Sequence, residues 1–528
     1  MGRKKEINYM NGRLCGKYLN EDLCNKLEKL RRLDENKKAV VDLKDIIYDL
    51  TPSQVEEIKS LFPLKPNEKY DKGTLENLQT IGVAYMFFAK RMILGDSVGI
   101  GKTVEVCGLF NLLKKSLETR EDPFRFLFLT EKTAVPQVRD EVIRFTGDYA
   151  EIVYGTKKEV QDFVSANTSD LQYSVVGPHS LLKSKDFQEY MRFYNEEMGY
   201  NPFDIIVIDE SGDILCNPTT QYYKDGKFIA DMFERVILLN ATSFEKELSN
   251  FYTQLNFLDD TLLPTKTTFQ KEYVVMSYTG PYPMPSGKYR NADKFRQLVG
   301  YRYYARTRKG TGAVMKDCTA DVVITGLSKE QRYLLQKVSM PRMVYECPSY
   351  FRMGIETNLD TTPKLRELVR IITEEWKDAP SILVYCYYKE SQGVIQRVLA
   401  ENGIDSEIMN GSFSADERED IVNKFKLGDI RILITNVQKA LNFGNCNHCI
   451  FYSYDSNPNK MVQFEGRMTR TYNIIDKHVK LLISRGQELK NFKQLVADRA
   501  QASDVFAGSD FSCVLSILLD NKKLSNLK

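Results

Sequence analysis

The chain has 528 residues, 42% apolar and 27% charged, which excludes a disordered tail or a fibre. That length suits roughly three or four folded units. With 74 Lys and Arg against 71 Asp and Glu, the net charge of +3 excludes a histone-like polycation, so any nucleic-acid contact needs a local basic surface. Residues 1–70, rich in Lys, Glu and Leu, read as a helical N-terminal appendage with helices over 21–32 and 51–62, the second opened by Pro52 with Glu56 and Glu57 following. From 71 to 260, short apolar runs at 92–94, 126–129, 173–176, 205–208 and 236–239 alternate with amphipathic stretches, which predicts strands covered on both faces of a parallel sheet. An insertion with a basic segment occupies 261–325, and Tyr282-Pro283-Met284-Pro285 within it cannot be a central strand. A linker over 326–360 leads to a second alternating block, 361–505, with strands at 382–386, 407–409, 430–434, 449–452 and 479–483, then a tail over 506–528. The fold class is α/β: two parallel-sheet lobes in tandem. No apolar run reaches the roughly 18–20 residues that span a bilayer, and the start has no apolar export core. Ten scattered Cys then read as free thiols of a reducing cytoplasm.

The most informative stretch is KRMILGDSVGIGKTVE, residues 90–105. An apolar strand runs into a glycine loop and then a helix. Gly99 and Gly101 let backbone N–H groups, Ile100 between them, approach phosphate oxygens closely. Lys102 reaches the β and γ phosphates, and Thr103 offers a hydroxyl to Mg²⁺. A full Walker pattern has Gly where Asp96 stands. The acidic partner is FDIIVIDE, residues 203–210, an apolar strand ending in two carboxylates at the edge where α/β sheets place ligands. Asp209 would hold Mg²⁺ and Glu210 would orient or deprotonate the attacking water. Adjacent acids after a strand also serve as helix caps, and it is the pairing with Lys102 that favours the nucleotide reading.

These motifs carry a resemblance. Gln79 in LENLQTIGVAYM, followed by ILGDSVGIGKT, resembles the opening of the Swi/Snf-type ATPases of helicase superfamily two, whose loop also begins with Asp, as at Asp96. FLFLTEKTAVPQVRDEVIRF (126–145) is similar to motif Ia, LLNATSFEKELSNFYTQLNFL (238–258) to motif III, and Gln463-Phe464-Glu465-Gly466-Arg467-Met468-Thr469-Arg470 to motif VI. Asn410-Gly411-Ser412 with Arg418 resembles motif IV, and Thr362-Pro363-Lys364-Leu365 the entry to the second lobe. Ser211-Gly212 replace the usual Ala-His, Ser243 replaces the Pro of motif III, and Gly466 replaces the usual Asp. The resemblance implies two RecA-like lobes. It gives Gln79 the adenine edge, and Gln463, Arg467 and Arg470 a helix face from which guanidiniums close on the γ-phosphate. ATP and Mg²⁺ are the implied cofactors.

Seven basic residues (Lys294, Arg296, Arg302, Arg306, Arg308, Lys309 and Lys316) fall between 294 and 316 without an acid, interleaved with Tyr301, Tyr303 and Tyr304. Arg302, Arg306, Arg308 and Lys309 suit DNA phosphates; the same run equally suits a solvated basic helix packed by its tyrosines. Cys446-Asn447-His448-Cys449 has metal-ligand spacing, but structural zinc needs four ligands and buried free thiols fit better. The expectation is a monomeric cytoplasmic ATPase that moves on duplex DNA without sequence preference and with no membrane partner. A branch-migrating or strand-separating helicase, suggested by Gly466, and a hydrolysis-impaired scaffold, suggested by Gly212 and Ser243, are the alternatives.

Overall fold

Ile205-Ile206-Val207-Ile208 show why the first block folds as it does: all four side chains are fully buried, alternating between two apolar layers. Ile206 and Ile208 join Leu127, Leu129, Val236 and Leu238 on one face, while Ile205 and Val207 join Phe126, Phe128, Ile237 and Leu239 on the other. Period-two alternation with both faces covered is what a β-branched run in a parallel sheet requires. Each such side chain contributes roughly 1.5–3 kcal/mol through burial. The structure is a computed structural model describing residues 77–96, 100–116, 123–166, 173–240, 248–277, 284–299, 302–305, 318–336, 362–437, 443, 446–453, 464, 477–486 and 488–493. The expected helices over 21–32 and 51–62 lie outside these residues.

The chain divides into two compact units at Thr307/Arg308. The first holds a seven-stranded, all-parallel sheet: β1 (Arg91–Leu94), β2 (Phe126–Thr130), β3 (Ala150–Ile152), β4 (Ser174–Pro178), β5 (Ile205–Ile208), β6 (Val236–Leu239) and β9 (Tyr303–Tyr304). Its spatial order is β3-β4-β2-β5-β6-β1-β9. Between β6 and β9, strands β7 (Val274–Ser277) and β8 (Met284–Tyr289) form a separate antiparallel hairpin with a bulge. Pro285 therefore sits in a two-stranded hairpin, where a missing N–H is tolerated.

The second unit has a six-stranded parallel sheet, ordered β10-β15-β14-β11-β13-β12. Its strands are β10 (Cys318–Thr325), β11 (Ile382–Tyr385), β12 (Glu407–Met409), β13 (Ile432–Thr435), β14 (His448–Phe451) and β15 (Lys477–Ser484). Two apolar layers again cover its faces, one around Leu383, Leu433 and Leu481, the other around Ile382, Ile432 and Leu482. Two of its helices are capped locally: Thr362 accepts from Leu365 N–H ahead of Pro363, and Ser414 with Glu417 closes a capping box.

One expectation changes, and the reading of Cys446 and Cys449 as buried free thiols holds. The segment 261–325 is not a single insertion, because Tyr303–Tyr304 add an edge strand to the first sheet and Cys318–Thr325 add one to the second. Cys446 and Cys449 are buried in the second unit, with the Cys446 Sγ 3.1 Å from the His448 carbonyl, and burial pushes the Cys446 thiol up. Among the described residues no helix is long and apolar enough to cross a membrane.

Candidate nucleotide site

The register of the first sheet brings the singled-out residues of the first block to one edge. Leu94 of β1 pairs with Leu239 of β6, Leu238 with Ile208 of β5, and Ile208 with Leu129 of β2. The next residues, Gly95-Asp96, Asn240, Asp209-Glu210 and Thr130, therefore line the C-terminal edge of four neighbouring strands. Parallel α/β sheets bind ligands in that crevice. Backbone bonds fasten the edge in series: Asp209 N–H donates to the Leu129 carbonyl, Ser211 N–H to that of Leu239, Asn240 N–H to that of Leu94, and Gly95 N–H to that of Tyr304.

Lys102 begins the helix Lys102–Ser116, and its Nζ donates to the Asp96 carbonyl at 2.7 Å. Asp96 itself is fully buried. The loop thus holds its own lysine by a main-chain oxygen, which any residue at 96 supplies; this is compatible with Asp in place of Gly. Gly101 has φ +102°, where a side chain is strained, and a Cβ there would lie 2.7 Å from the Gln79 Nε2. Gln79 Nε2 donates to the Ile100 carbonyl at 3.1 Å, so the helix Asn77–Ala89 braces the loop through this amide. Thr103 lies in the first turn of the Lys102 helix, half-buried. Gly99 is outside the described residues.

Asp209 and Glu210 are half-buried. Asp209 Oδ2 accepts from Thr130 Oγ1 at 3.2 Å, and Oδ1 accepts from the Glu210 N–H at 3.0 Å. Among the described residues no cation pairs with Asp209, so the carboxylate is aimed by neutral donors and keeps its charge for a ligand. His179 Nε2 lies 2.7 Å from the Asp209 carbonyl; a carbonyl only accepts, so Nε2 carries the proton. Glu210 adopts φ +46°, a left-handed conformation that costs a non-glycine residue about 1–3 kcal/mol and persists where its surroundings fix it. Ser211 Oγ donates to Gln254 Oε1 at 3.2 Å, and Asn240 Nδ2 donates to the same oxygen at 3.2 Å.

Thr103, with a hydroxyl, and Asp209, with a carboxylate, are hard oxygen donors, the chemistry Mg²⁺ selects. The glycine cradle at Gly101, beside the N-terminus of a 15-residue helix, suits a polyphosphate. The site residues fit both groups.

The SNF2-related domain matches residues 78–370, and the helicase conserved C-terminal domain matches 363–472. The chain belongs to the SNF2-related family. Its SNF2-related and helicase C-terminal domains follow one another as in the Swi/Snf type, and each of its two units is built on a parallel sheet. This SNF2-type chain is 22% identical over 457 residues to the putative ATP-dependent helicase/translocase YwqA of Bacillus subtilis, covering 79% of the chain and 47% of that relative. It is 20% identical over 475 residues to the uncharacterized ATP-dependent helicase YqhH of the same organism, covering 82% and 79%. The chain thus spans about half the length of the first relative. A Sulfolobus solfataricus SWI2/SNF2 ATPase core in complex with double-stranded DNA aligns over 88% of the chain and 98% of its own, at 17% identity and a TM-score of 0.38.

Arg302 is a correction. It is buried; its Nη1 donates to the Ala89 and Arg91 carbonyls at 3.1 and 3.0 Å, and its Nη2 meets Asp259 Oδ2 at 3.3 Å. Its charge fastens the edge strand β9 to its neighbours, so it is not available to a phosphate backbone. Arg306, Arg308 and Lys309, and the Gln463, Arg467 and Arg470 of motif VI, lie outside the described residues. Sequence reasoning missed His179, Thr130, Asn240 and Gln254. His179 is one of three His in the chain and follows an apolar strand directly, the one local hint among them.

Proposed function

We propose that this SNF2-type ATPase couples ATP hydrolysis to movement along duplex DNA. The observation that supports it best is the shared edge of the first sheet, where Lys102, Asp209 and Glu210 follow strands in register. In this reading Gly99, Ile100 and Gly101 present N–H groups to the phosphates, and Lys102 exchanges the Asp96 carbonyl for phosphate oxygen. Gln79 contacts the base, Thr103 and Asp209 hold Mg²⁺, and Glu210 takes or aligns the proton of the attacking water. Bound Mg²⁺ supplies charge neutralisation at the phosphates. The family pattern gives Gln463, Arg467 and Arg470 to the γ-phosphate, with Arg306, Arg308 and Lys309 as backbone contacts to DNA. The relative named as a helicase/translocase supports movement on nucleic acid.

The test is ATP turnover of the purified chain with Mg²⁺ across a panel of duplex, forked and single-stranded DNA. Duplex DNA should raise turnover regardless of sequence, and a third strand should be displaced from a triplex faster than a fork is opened. Lys102→Ala should lower turnover by about 10²–10³-fold while DNA binding persists. Turnover indifferent to every DNA would overturn the translocase reading.

A further inference from the structure

We infer that Asn240 is a positioning residue for Glu210, and that residue 212 is glycine because the Asn240 carboxamide fills the space a side chain there would need. This rests on the ATP-hydrolysis reading above. A Cβ built at Gly212 would lie 2.5 Å from Asn240 Nδ2, 3.3 Å from its Cγ and 3.4 Å from its Oδ1. The amide, nitrogen foremost, therefore occupies the space beside Gly212, two residues after Glu210. The His that the family pattern carries at this position could not stand beside it.

Nor is the amide free to swing away. Its Nδ2 donates to Gln254 Oε1, the oxygen that also accepts from Ser211 Oγ. Two donors on one oxygen fix which way both carboxamides face. Asn240, Gln254 and Ser211 are each at most 2% exposed, so water cannot replace these bonds. The Gln254 Nε2 finds no acceptor among the described residues, an unfavourable feature that the network tolerates. Through its main chain Asn240 also donates to Leu94, two residues before Asp96. One residue thus ties three parts of the site together: the strand entering the phosphate loop, the turn carrying the acid pair, and the helix Leu248–Leu258 that supplies Gln254. Glu210 stands in a left-handed conformation between the Asp209 carbonyl, met by His179, and Ser211, held by Gln254. Loosening the clamp releases the residue that must face the attacking water, not the groups that hold the phosphates.

The test is steady-state ATP turnover of the full chain with Mg²⁺ and duplex DNA, for Asn240→Ala, Gly212→Ala and the double variant. Each single change should lower kcat about tenfold, the size that one lost buried hydrogen bond carries, with KM for ATP within about twofold. In the double variant the methyl group introduced at position 212 occupies the space the amide vacates, so kcat should be no lower than in the worse single variant. Losses that multiply to about a hundredfold, a change confined to KM, or an unaltered kcat in Asn240→Ala would each overturn the inference. Thermal unfolding identifies any variant that fails to fold. In that case Asn240→Ser, with and without Gly212→Ala, carries the same comparison with a smaller void. A parent chain with no DNA-stimulated turnover sinks the hydrolysis reading itself. A parent that turns over and a Lys102→Ala that does not, with Asn240 and Gly212 variants unaffected, sinks the clamp alone.

Discussion

The C-terminal edges of the two sheets treat charge differently. In the first unit the Asp209 carboxylate is restrained by a hydroxyl and a backbone N–H, and Lys102 by a main-chain carbonyl. In the second unit, among the described residues of the comparable edge, neutral groups bond to one another: Ser453 Oγ accepts from Tyr387 N–H, Asn436 Nδ2 donates to the Tyr387 carbonyl, and Gln392 Nε2 to that of Cys386, while Lys389 Nζ donates to Ser412 Oγ. Its conspicuous charges, Lys364 and Glu488, are paired at 2.7 Å and almost wholly buried, with Glu488 also accepting from Ser484 N–H. Weakly held charge at a strand edge remains available to a ligand; a buried pair is committed to the fold.

The largest effect that sharpens this contrast is in the second unit. Lys364→Ala strands the Glu488 carboxylate in the interior and should cost about 3–5 kcal/mol in denaturant unfolding, while ATP binding by the first unit persists. Loss of ATP binding at denaturant concentrations where the fold survives would break the division of labour. Gly101→Ala is smaller in stability but falls on function. Its φ of +102° costs about 1–2 kcal/mol in a residue with a Cβ, and the Gln79 amide must move. KM for ATP should rise about tenfold, with the melting temperature lowered by only about 2–8 °C. The smallest effect is a pH dependence of the second unit. Burial, helped by neighbouring His478, pushes His448 down from its ordinary value of 6.5 to about 4. The neutral ring is favoured in the fold, so this contribution is complete above pH 6.5 and is lost as pH falls towards 4. His448→Phe should flatten the loss of stability across that window, read from unfolding midpoints at pH 7 and pH 5.

What could be read from the sequence follows from how local each cause is. The strands at 205–208, 236–239, 382–385 and 432–435 are apolar runs whose burial on both faces leaves no other reading. Ala150–Ile152 escapes such a reading because an edge strand carrying the partly exposed Glu151 has no such run, and Cys318–Thr325 because Asp321 interrupts it. The lysine and glycine of the phosphate loop are legible because their chemistry acts over a few residues. His179, Asn240 and Gln254 act through partners 14 to 43 residues away, a geometry that only the assembled sheet creates. Arg302 misleads because a run of basic residues gives charge without direction, and the neighbouring Tyr303 and Tyr304 are buried as part of an edge strand.

The most direct test of the central claim, that the first sheet's edge hydrolyses ATP in response to duplex DNA, is a comparison of the parent chain with Glu210→Gln. ATP binding and turnover should be measured with and without duplex. The account predicts that the parent accelerates on duplex. Glu210→Gln should bind ATP with Mg²⁺ as tightly yet lose about 10²–10⁴-fold in turnover. Undiminished turnover in Glu210→Gln, or a parent rate that duplex DNA leaves unchanged, would contradict it.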